Sequence, residues 1–354
     1  MEEKKFTYEA PFPLESGKKL EGFELAYSTS GTLEYDAQGF CKNVIWICHA
    51  LTANSDPEDW WSGLVGKDKL FTPEKYFIIC ANVLGSCYGS TNALSLNPHT
   101  GQSYYYDFPL LTIRDIVKAQ QELCKYLNIN RIHICTGGSM GGQQALEWAI
   151  ADPDMIEYLI VLATNAQHSP WGIAFNASQR MAIQNDPTWG QRIPEAGIEG
   201  MKTARAIALL SYRNYHTYRY SQSEESDDTL EAFKSESYQH YQGEKLARRF
   251  HAFSYWTLSK AMDSHHVGRK RGGLASALGM IKSQTLVIGI LSDILFPPEE
   301  QKFLAQHIPQ ALYQEIDTLF GHDGFLIETE IIGEIIRNWL QKQPQQKLQP
   351  NLKN

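Results

Sequence analysis

The stretch Ile132-His133-Ile134-Cys135-Thr136-Gly137-Gly138-Ser139-Met140-Gly141-Gly142-Gln143-Gln144-Ala145 decides the fold. It joins a short apolar strand to a helix-forming sequence through a G-x-S-x-G turn centred on Ser139. A serine hydroxyl becomes a nucleophile only when a base removes its proton, and a tight strand-to-helix turn exposes the side chain to such a base. The flanking glycines are expected to permit the strained backbone of this turn. The stretch therefore predicts a nucleophile at Ser139.

An acid and a base follow the serine in the chain. Asp293 comes directly after a late apolar run, and His322 lies in the loop Gly321-His322-Asp323-Gly324. The order Ser139, Asp293, His322 is that of α/β-hydrolases, which predicts a nucleophile, an orienting acid and a base in these roles. Two alternatives stay open. Asp293 could instead cap a helix that starts near Pro297, and Asp317 is a rival acid, although it lies close before the histidine loop.

Apolar runs of strand-like length alternate with helical patterns along the chain. The predicted strands are residues 44–48, 76–83, 132–135, 158–163, 285–290 and 312–316, and the predicted helices include residues 112–127, 142–150 and 328–341. Alternation of this kind predicts parallel strands joined by crossover helices. The fold class is therefore α/β, with a mostly parallel central sheet of the α/β-hydrolase kind.

This alternation stops after Asn165, where the sequence becomes aromatic, polar and helical. We interpret residues 167–275 as a helical lid inserted between two late strands, because ligand sites in open α/β sheets lie at the carboxyl ends of the strands. The alternative is a second packing layer without a lid function. Residues 1–166 and 276–342 then form the core domain, and residues 343–354, rich in Gln, Lys, Asn and Pro, are predicted to be disordered.

Charge, apolar stretches and cysteine spacing argue against several classes of function. The 354 residues carry a formal net charge of -8, which argues against a nucleic-acid surface. No apolar stretch has the length of a membrane span, and residues 1–5 are not those of a signal peptide, so a cytoplasmic protein without a membrane partner is predicted. The six cysteines show no C-x-x-C pairing and are expected to be reduced.

Acyl transfer through a serine also needs donors for the oxyanion. The backbone N–H of Met140, directly after the serine, is one candidate, and that of Leu51, in the loop after an early strand, is the other. His49 in the same loop is expected to shape the loop. No metal site is predicted, because the adjacent His265 and His266 near Asp263 would point to different faces of a helix.

Several stretches resemble the homoserine O-acetyltransferase family of α/β-hydrolase-fold enzymes. They read CHALTANS at residues 48–55, NVLGSCYGST at 82–91, FP at 108–109, TIRD at 112–115, GGSMGGQQALEWAI at 137–150, YQG at 241–243 and GHDGFL at 321–326. The resemblance extends from about residue 23 to residue 340, and the stretches occur in the same order as in the family. A generic hydrolase would share the serine turn and the histidine, but not the interior stretches.

The resemblance implies ping-pong transfer of an acetyl group from acetyl-CoA to the side-chain hydroxyl of L-homoserine in methionine biosynthesis, with no bound cofactor. It implies that Asp323 receives the substrate ammonium, while Arg205 and Tyr212 hold the carboxylate. A spacing of seven lets Arg205 and Tyr212 face the site from one helix. Arg180 and Arg213 are alternatives for the carboxylate clamp. A homodimer built through the helical lid is also implied.

One departure from the family pattern concerns substrate choice. Asn92-Ala93 follow Gly89-Ser90-Thr91, where the resemblance leads us to expect a Gly-Pro pair. Succinyl-CoA as the donor and L-serine as the acceptor therefore stay open. Two other function classes also stay open, namely an ester or thioester hydrolase with the same three residues and a catalytically idle scaffold that acts as a binding protein.

Overall fold

A computed structural model describes residues 1–343 of the chain. Within that range the strands are β1 (Glu2–Tyr8), β2 (Phe12–Pro13), β3 (Lys19–Leu20), β4 (Phe23–Ser30), β5 (Val44–Cys48), β6 (Phe77–Ala81), β7 (Ile132–Gly138), β8 (Ile156–Leu162), β9 (Gln284–Ile290) and β10 (Ala311–Ile316). The predicted disordered tail lies outside the described residues, apart from Gln343.

Eight of these strands form one sheet in the order β1-β4-β6-β5-β7-β8-β9-β10. All pairs from β6 to β10 are parallel, whereas β4 pairs antiparallel with both β1 and β6. The predicted mostly parallel sheet is confirmed. The strands β1 and β4 were missing from the sequence interpretation, since β1 is a charged edge strand whose side chains are mostly exposed.

The helices are α1 (Pro57–Trp60), α2 (Ile113–Tyr126), α3 (Met140–Ala151), α4 (Pro170–Gln184), α5 (Ile198–Tyr212), α6 (Tyr215–Gln222), α7 (Lys234–Ala247), α8 (Ala252–Asp263), α9 (Leu274–Leu278), α10 (Pro298–His307), α11 (Gly324–Ile327) and α12 (Thr329–Gln341), with 3₁₀ turns at Tyr105–Asp107 and Gly321–Asp323. Local sequence fixes their ends. Thr112 and Asp115 form a capping box at the start of α2, and α3 ends before the Asp152-Pro153 pair.

Side chains of the central strands alternate between two apolar layers, as the pleat of a strand requires. Trp46 of β5 packs with Trp148 of α3 on one face of the sheet. Its neighbours Ile45 and Ile47 belong to the opposite layer, which includes Trp339 of α12. Both faces of β5 are thus covered, which explains why its five residues are all buried and its sequence is continuously apolar.

The helices α4 to α8 lie between β8 and β9. This segment leaves and rejoins the core at a common stem, where His168 N–H donates to His265 O at 3.1 Å and Val267 N–H donates to Ala166 O at 2.9 Å. The predicted lid boundary at residue 275 falls inside α9, beyond this stem. The assignment of residues 167–275 as a lid stays a prediction.

Burial of histidines makes the fold sensitive to acid. Burial lowers the pKa of His49, His168 and His251 to about 4 and that of His265 to about 3, from an ordinary value of 6.5. Such a histidine binds fewer protons when folded than when unfolded. Its contribution to stability is therefore present above pH 6.5 and is lost as the pH falls towards the folded pKa. Burial also raises the pKa of Glu300 to about 7, which has the opposite effect and offsets one histidine.

We expect the free energy of unfolding to decrease by about 4 kcal/mol between pH 6.5 and about pH 5, because the four histidines less Glu300 leave three net groups, each contributing about 1 kcal/mol per pH unit. The matched variant is His265→Gln, whose amide can still donate to Asn165 O, the 3.0 Å partner of His265 Nε2. Urea unfolding over this pH range should give a shallower slope for the variant, by roughly 1 kcal/mol per pH unit. An unchanged slope would contradict the assignment.

Candidate active site

Ser139 lies in a strained turn between β7 and α3. Its backbone has φ 58° and ψ -127°, a conformation that is costly for a residue with a side chain. Two hydrogen bonds hold this conformation in place. The N–H of Ser139 donates to Leu162 O at 3.0 Å, and the Thr164 hydroxyl donates to Ser139 O at 2.8 Å. The geometry matches that of a nucleophile elbow at the carboxyl end of a strand, although the Ser139 side chain is buried in this structure.

The flanking glycines permit the tight turn through the space that they leave. Positive φ occurs at Ser139 itself and not at Gly137 or Gly141. Both glycines are needed for space: a Cβ on Gly141 would lie 2.1 Å from Cys48 O, and one on Gly137 would lie 2.5 Å from the Gly141 carbonyl carbon. The glycines therefore permit the tight turn by letting Cys48, at the end of β5, approach the start of α3, and the positive φ lies on Ser139.

This close approach brings the two predicted oxyanion donors to the same region. Met140 is the first residue of α3, so its N–H has no acceptor within the helix. Leu51 follows the β5 loop that contacts Gly141, and it is buried. Their role as oxyanion donors stays a prediction, since the structure contains no acyl group.

His49 fixes the shape of the β5 loop. Its Nε2 accepts the Val83 N–H at 3.0 Å, and its Nδ1 therefore carries the proton and donates to Ala50 O at 2.8 Å. The ring is fully buried, and burial lowers its pKa to about 4. A neutral ring with both nitrogens engaged has no capacity left to act as a base. The contacts of His49 are those expected of a residue that shapes the loop after β5.

Asp293 and His322 form the central polar contact of the site. His322 Nδ1 donates to Asp293 Oδ2 at 2.6 Å, although the residues are 29 positions apart. Asp293 Oδ1 accepts the N–H groups of Leu295 at 2.8 Å and Phe296 at 2.9 Å. The acid is thus held rigidly, and it orients the imidazole so that Nε2 is the nitrogen left to accept a proton.

The two alternatives for the acid have no support in this geometry. The carboxylate bonded to His322 is that of Asp293, whereas Asp317 is exposed. The N-cap position of α10 is occupied by Pro297, so Asp293 does not cap that helix. Asp293 lies just beyond β9, and its neighbour strand β10 leads into the histidine loop.

Aromatic packing brings the histidine loop to the serine turn. The His322 ring stacks on Phe296 at 5.0 Å between centroids and meets Phe325 edge-on at 5.4 Å. Phe325 also covers the residue before Ser139, since a Cβ on Gly138 would lie 2.4 Å from its ring. Ser139, Asp293 and His322 therefore share one end of the sheet, at the carboxyl ends of β7, β9 and β10.

Of the residues predicted to bind the acceptor amino acid, Tyr212 and Asp323 lie next to His322, and Arg205 packs on Tyr212. The Tyr212 ring lies 5.9 Å from that of His322, and the Arg205 guanidinium lies 5.3 Å from the Tyr212 ring centroid. Asp323 Oδ2 accepts from Arg213 Nε at 2.8 Å. Sequence analysis missed this ion pair, because 110 residues separate its members and no local pattern links them.

Charge pairing distinguishes the three candidate arginines. Arg180 is buried and donates to Asp263 Oδ2 at 2.5 Å, so its charge is already compensated. Arg213 is bound to Asp323. Within residues 1–343, Arg205 has no carboxylate within ion-pair distance. Of the three candidates, Arg205 is therefore the arginine whose guanidinium is most available to bind the carboxylate of a ligand.

His265, the first histidine of the pair near Asp263, makes a structural contact. His265 Nε2 contacts Asn165 O at 3.0 Å, and Asp263 binds both Arg180 and Asn176. No group of three or more His, Cys, Asp or Glu side chains in residues 1–343 is arranged to hold a metal ion. In the same range, no helix combines the length and the apolar composition that crossing a membrane requires.

Asn92 and Ala93 build an ordered turn where a Gly-Pro pair was expected. The Asn92 amide donates to Ser90 O at 2.9 Å, and its carbonyl accepts the Leu94 N–H at 2.8 Å. Ala93 is buried in a small apolar cluster with Phe253 of α8. The departure is thus accommodated by side-chain hydrogen bonds and by packing against the inserted helices.

Known proteins of similar sequence and structure share this fold and belong to the α/β-hydrolase class. A sequence model of the alpha/beta hydrolase fold matches residues 43–329, which confirms the predicted fold. A homoserine O-acetyltransferase from Cyclobacterium marinum is 50% identical over 334 residues, which cover 94% of this chain and 94% of that protein. The solved homoserine O-acetyltransferase from Bacillus anthracis superimposes with a TM-score of 0.85 at 26% identity, over 97% of this chain and 98% of that one. Esterase E22, at 23% identity and a TM-score of 0.85 over 96% of this chain and 99% of that one, shares the fold.

Proposed function

The chain belongs to the homoserine O-acetyltransferase family, and from this premise we propose that it transfers the acetyl group of acetyl-CoA to the side-chain hydroxyl of L-homoserine in methionine biosynthesis. The observation that carries the proposal is the hydrogen bond of 2.6 Å between Asp293 and His322, at the sheet edge where the strained turn presents Ser139. These three residues are proposed as orienting acid, base and nucleophile.

The first half-reaction acylates Ser139. His322 Nε2 accepts the proton of the Ser139 hydroxyl while Oγ attacks the thioester carbonyl carbon. The negative charge that develops on the carbonyl oxygen would be met by the N–H groups of Leu51 and Met140. The carbon–sulfur bond then breaks, His322 returns its proton to the leaving sulfur, and CoA departs as the thiol. The acetyl group stays on Ser139 as an ester.

The second half-reaction repeats this chemistry with an amino-acid hydroxyl. His322 accepts the proton of the homoserine hydroxyl, whose oxygen attacks the acetyl ester carbon. The ester bond to Ser139 breaks, and Oγ recovers its proton from His322. The same site could hydrolyse the ester if water attacked instead. Transfer therefore depends on an acceptor that is bound in place and on exclusion of water.

The proposed acceptor site has one group for each charge of the amino acid. Asp323 would receive the ammonium group, and Arg205 with Tyr212 would hold the carboxylate. Guanidinium and carboxylate match in planar, bidentate geometry, and Arg205 has no carboxylate partner within residues 1–343. Since Arg213 already binds Oδ2 of Asp323, the ammonium is expected to approach the other carboxylate oxygen.

The proposal is tested by combining each donor with each acceptor. Acetyl-CoA or succinyl-CoA is incubated with L-homoserine or L-serine, and thiol release is followed. We expect sustained release only with acetyl-CoA and homoserine together. Equal release from acetyl-CoA with and without an acceptor would instead identify a thioester hydrolase.

Asp323→Asn is expected to separate the two half-reactions. Loss of a charge-assisted contact of about 1.5 to 3 kcal/mol should raise the apparent homoserine KM by roughly 10- to 100-fold. The burst of thiol from acetyl-CoA should survive, because the asparagine amide oxygen can still accept from Arg213 Nε and His322 therefore stays in place to activate Ser139. The measurement compares this burst with steady-state turnover over a range of homoserine concentrations. A variant that loses the burst but keeps its homoserine KM would show that Asp323 acts on His322 and not on the acceptor.

We also propose a homodimer that forms through the inserted helices. Large aromatic side chains are exposed on α6 and α7, including Tyr215, Tyr220 and Tyr241. An isologous interface would bury these side chains against their symmetry equivalents. Acetyl-CoA and L-homoserine are proposed as small-molecule substrates, with a cytoplasmic location that follows from the proposed place in amino-acid biosynthesis.

A further inference from the structure

A short segment of the inserted helices contacts both loops that carry the acid and the base. We call residues 212–217, which join α5 to α6, the lid strap. The acid loop is residues 291–296, and the base loop is residues 317–323. The strap is near enough to constrain the backbone of Gly321, since a Cβ on that residue would lie 3.1 Å from the Arg213 carbonyl carbon. Gly321 has a φ of 61°, in the left-handed region that favours glycine.

Asn214 binds the acid loop. Its Nδ2 donates to Ser292 O at 3.3 Å, on the residue directly before Asp293. The Oδ1 of the same side chain accepts the Thr217 N–H at 3.0 Å and caps the start of α6. One side chain therefore sets the first turn of α6 and ties that turn to the loop that holds the acid.

Thr217 and Arg213 bind the base loop on either side of His322. The buried Thr217 hydroxyl donates to Leu319 O, three residues before the histidine. Arg213 Nε donates to Asp323 Oδ2 at 2.8 Å, on the residue after it. The backbone segment that carries His322 is thus held at both ends by the strap.

The acid and base loops are also bonded to each other, through Ser292. Its hydroxyl donates to Thr318 O at 2.5 Å and accepts the Gly321 N–H at 3.2 Å. The carbonyl of this same residue is the acceptor for Asn214. The strap and the two loops therefore form one hydrogen-bonded unit around the Asp293–His322 pair, in which the inserted helices supply the outer layer.

We propose that Asn214 and Thr217 are positioning residues for the reaction, which hold the acid and base loops in the register that aims His322 at Ser139. The inserted helices then contribute to nucleophile activation in addition to enclosing substrates. A displacement of about 1 Å in a reacting group can lower a rate by about 100-fold, so hydrogen bonds outside the reacting atoms are sufficient for such an effect. The inference rests on the proposed roles of Ser139, Asp293 and His322, but not on the identity of the donor or the acceptor.

Four variants test the strap. Asn214→Ser separates positioning from helix capping, whereas Thr217→Val also removes the contact of the Thr217 side chain with the Asn214 N–H in the capping box of α6. Asn214→Ser keeps a capping oxygen for the Thr217 N–H, but its side chain is too short to reach Ser292 O. Thr217→Val removes the hydroxyl at nearly constant size, whereas Thr217→Ser restores it. Gln239→Ala is the matched control, because it removes two hydrogen bonds within the inserted helices, one to Ala206 O at 3.1 Å and one from the Tyr218 hydroxyl at 3.1 Å, and touches neither loop.

Acylation is measured in two ways, as 4-nitrophenol released from 4-nitrophenyl acetate and as thiol released from acetyl-CoA. We expect Asn214→Ser and Thr217→Val to lower the acylation rate by about tenfold or more with both reagents, while KM changes by less than about twofold. Thr217→Ser and Gln239→Ala should stay within about twofold of wild type. Thermal unfolding of each variant verifies that it is folded at the assay temperature.

The proposal is overturned if folded Asn214→Ser and Thr217→Val acylate at the wild-type rate, or if their defect lies only in KM. A defect in Thr217→Val that Thr217→Ser does not restore would also overturn it, since the hydroxyl would then have no part in the effect. The ester readout keeps the inference independent of the proposed function. If the wild-type protein releases 4-nitrophenol from the ester but no thiol from acetyl-CoA, the acetyl-CoA assignment is contradicted. The four variants would still test the strap through the ester assay.

Discussion

Replacement of Ser139 by alanine is expected to lower acetyl transfer by on the order of 10⁴-fold or more, because the hydroxyl is the proposed attachment point of the acyl group. The fold should be retained. Alanine keeps the Cβ, and the hydrogen bonds that hold the turn use the Ser139 backbone, to Leu162 O at 3.0 Å and from the Thr164 hydroxyl at 2.8 Å. The measurement is thiol release from acetyl-CoA with homoserine, alongside thermal unfolding.

Ser178→Ala provides the control for this substitution. Ser178 is an exposed serine on α4 whose hydroxyl donates to Ala174 O at 3.0 Å, one helical turn earlier. Its removal should leave both turnover and stability unchanged. Retention of more than a few per cent of wild-type turnover in folded Ser139→Ala would mean that acyl transfer does not pass through this hydroxyl.

Asp293→Asn is expected to lower turnover by about 10⁴-fold through the tautomer of His322. In the wild type, the N–H groups of Leu295 and Phe296 donate to Asp293 Oδ1. The side-chain carbonyl oxygen of an asparagine would still accept these two hydrogen bonds. The amide NH₂ would then face His322 Nδ1, which must accept instead of donate. The ring proton moves to Nε2, and that nitrogen can no longer take the proton of Ser139.

Asp317→Asn is the matched control for this prediction. Asp317 is the exposed acid between β10 and the histidine, and it is the rival that chain order alone leaves open. We expect wild-type turnover from Asp317→Asn in the same thiol-release assay. Turnover within tenfold of wild type for Asp293→Asn, or a large loss for Asp317→Asn, would move the orienting role away from Asp293.

The central sheet was predictable because its strands are unusual in composition. The five residues of β5 are all buried, and a strand covered on both faces reads as one continuous apolar run. The edge of the sheet gave no such signal. The strand β1 reads Glu-Glu-Lys-Lys-Phe-Thr-Tyr, with Phe6 buried and its other residues at least partly exposed, so its pairing with β4 was not predictable from an apolar pattern.

The site could be predicted as residue types in order, but not as contacts. The sequence pointed to Asp293 and His322, which the fold brings to 2.6 Å across 29 residues. The pairing of Arg213 with Asp323 spans 110 residues and depends on how the inserted helices pack, which no local pattern encodes. The flanking glycines were expected to permit a strained turn, but the contact that requires a glycine at position 141 is the approach of Cys48 O, which comes from a distant segment and has no local signal.

A covalent acetyl intermediate on Ser139 is the central feature of the proposed mechanism. Wild-type protein is mixed with acetyl-CoA without an acceptor, quenched during the burst, digested and examined by mass spectrometry. The acetyl group is predicted on the peptide that contains Ser139, and addition of homoserine before the quench should remove it. Acetylation at a cysteine or a lysine with Ser139 unmodified, or steady thiol release without any acylated peptide, would contradict the mechanism.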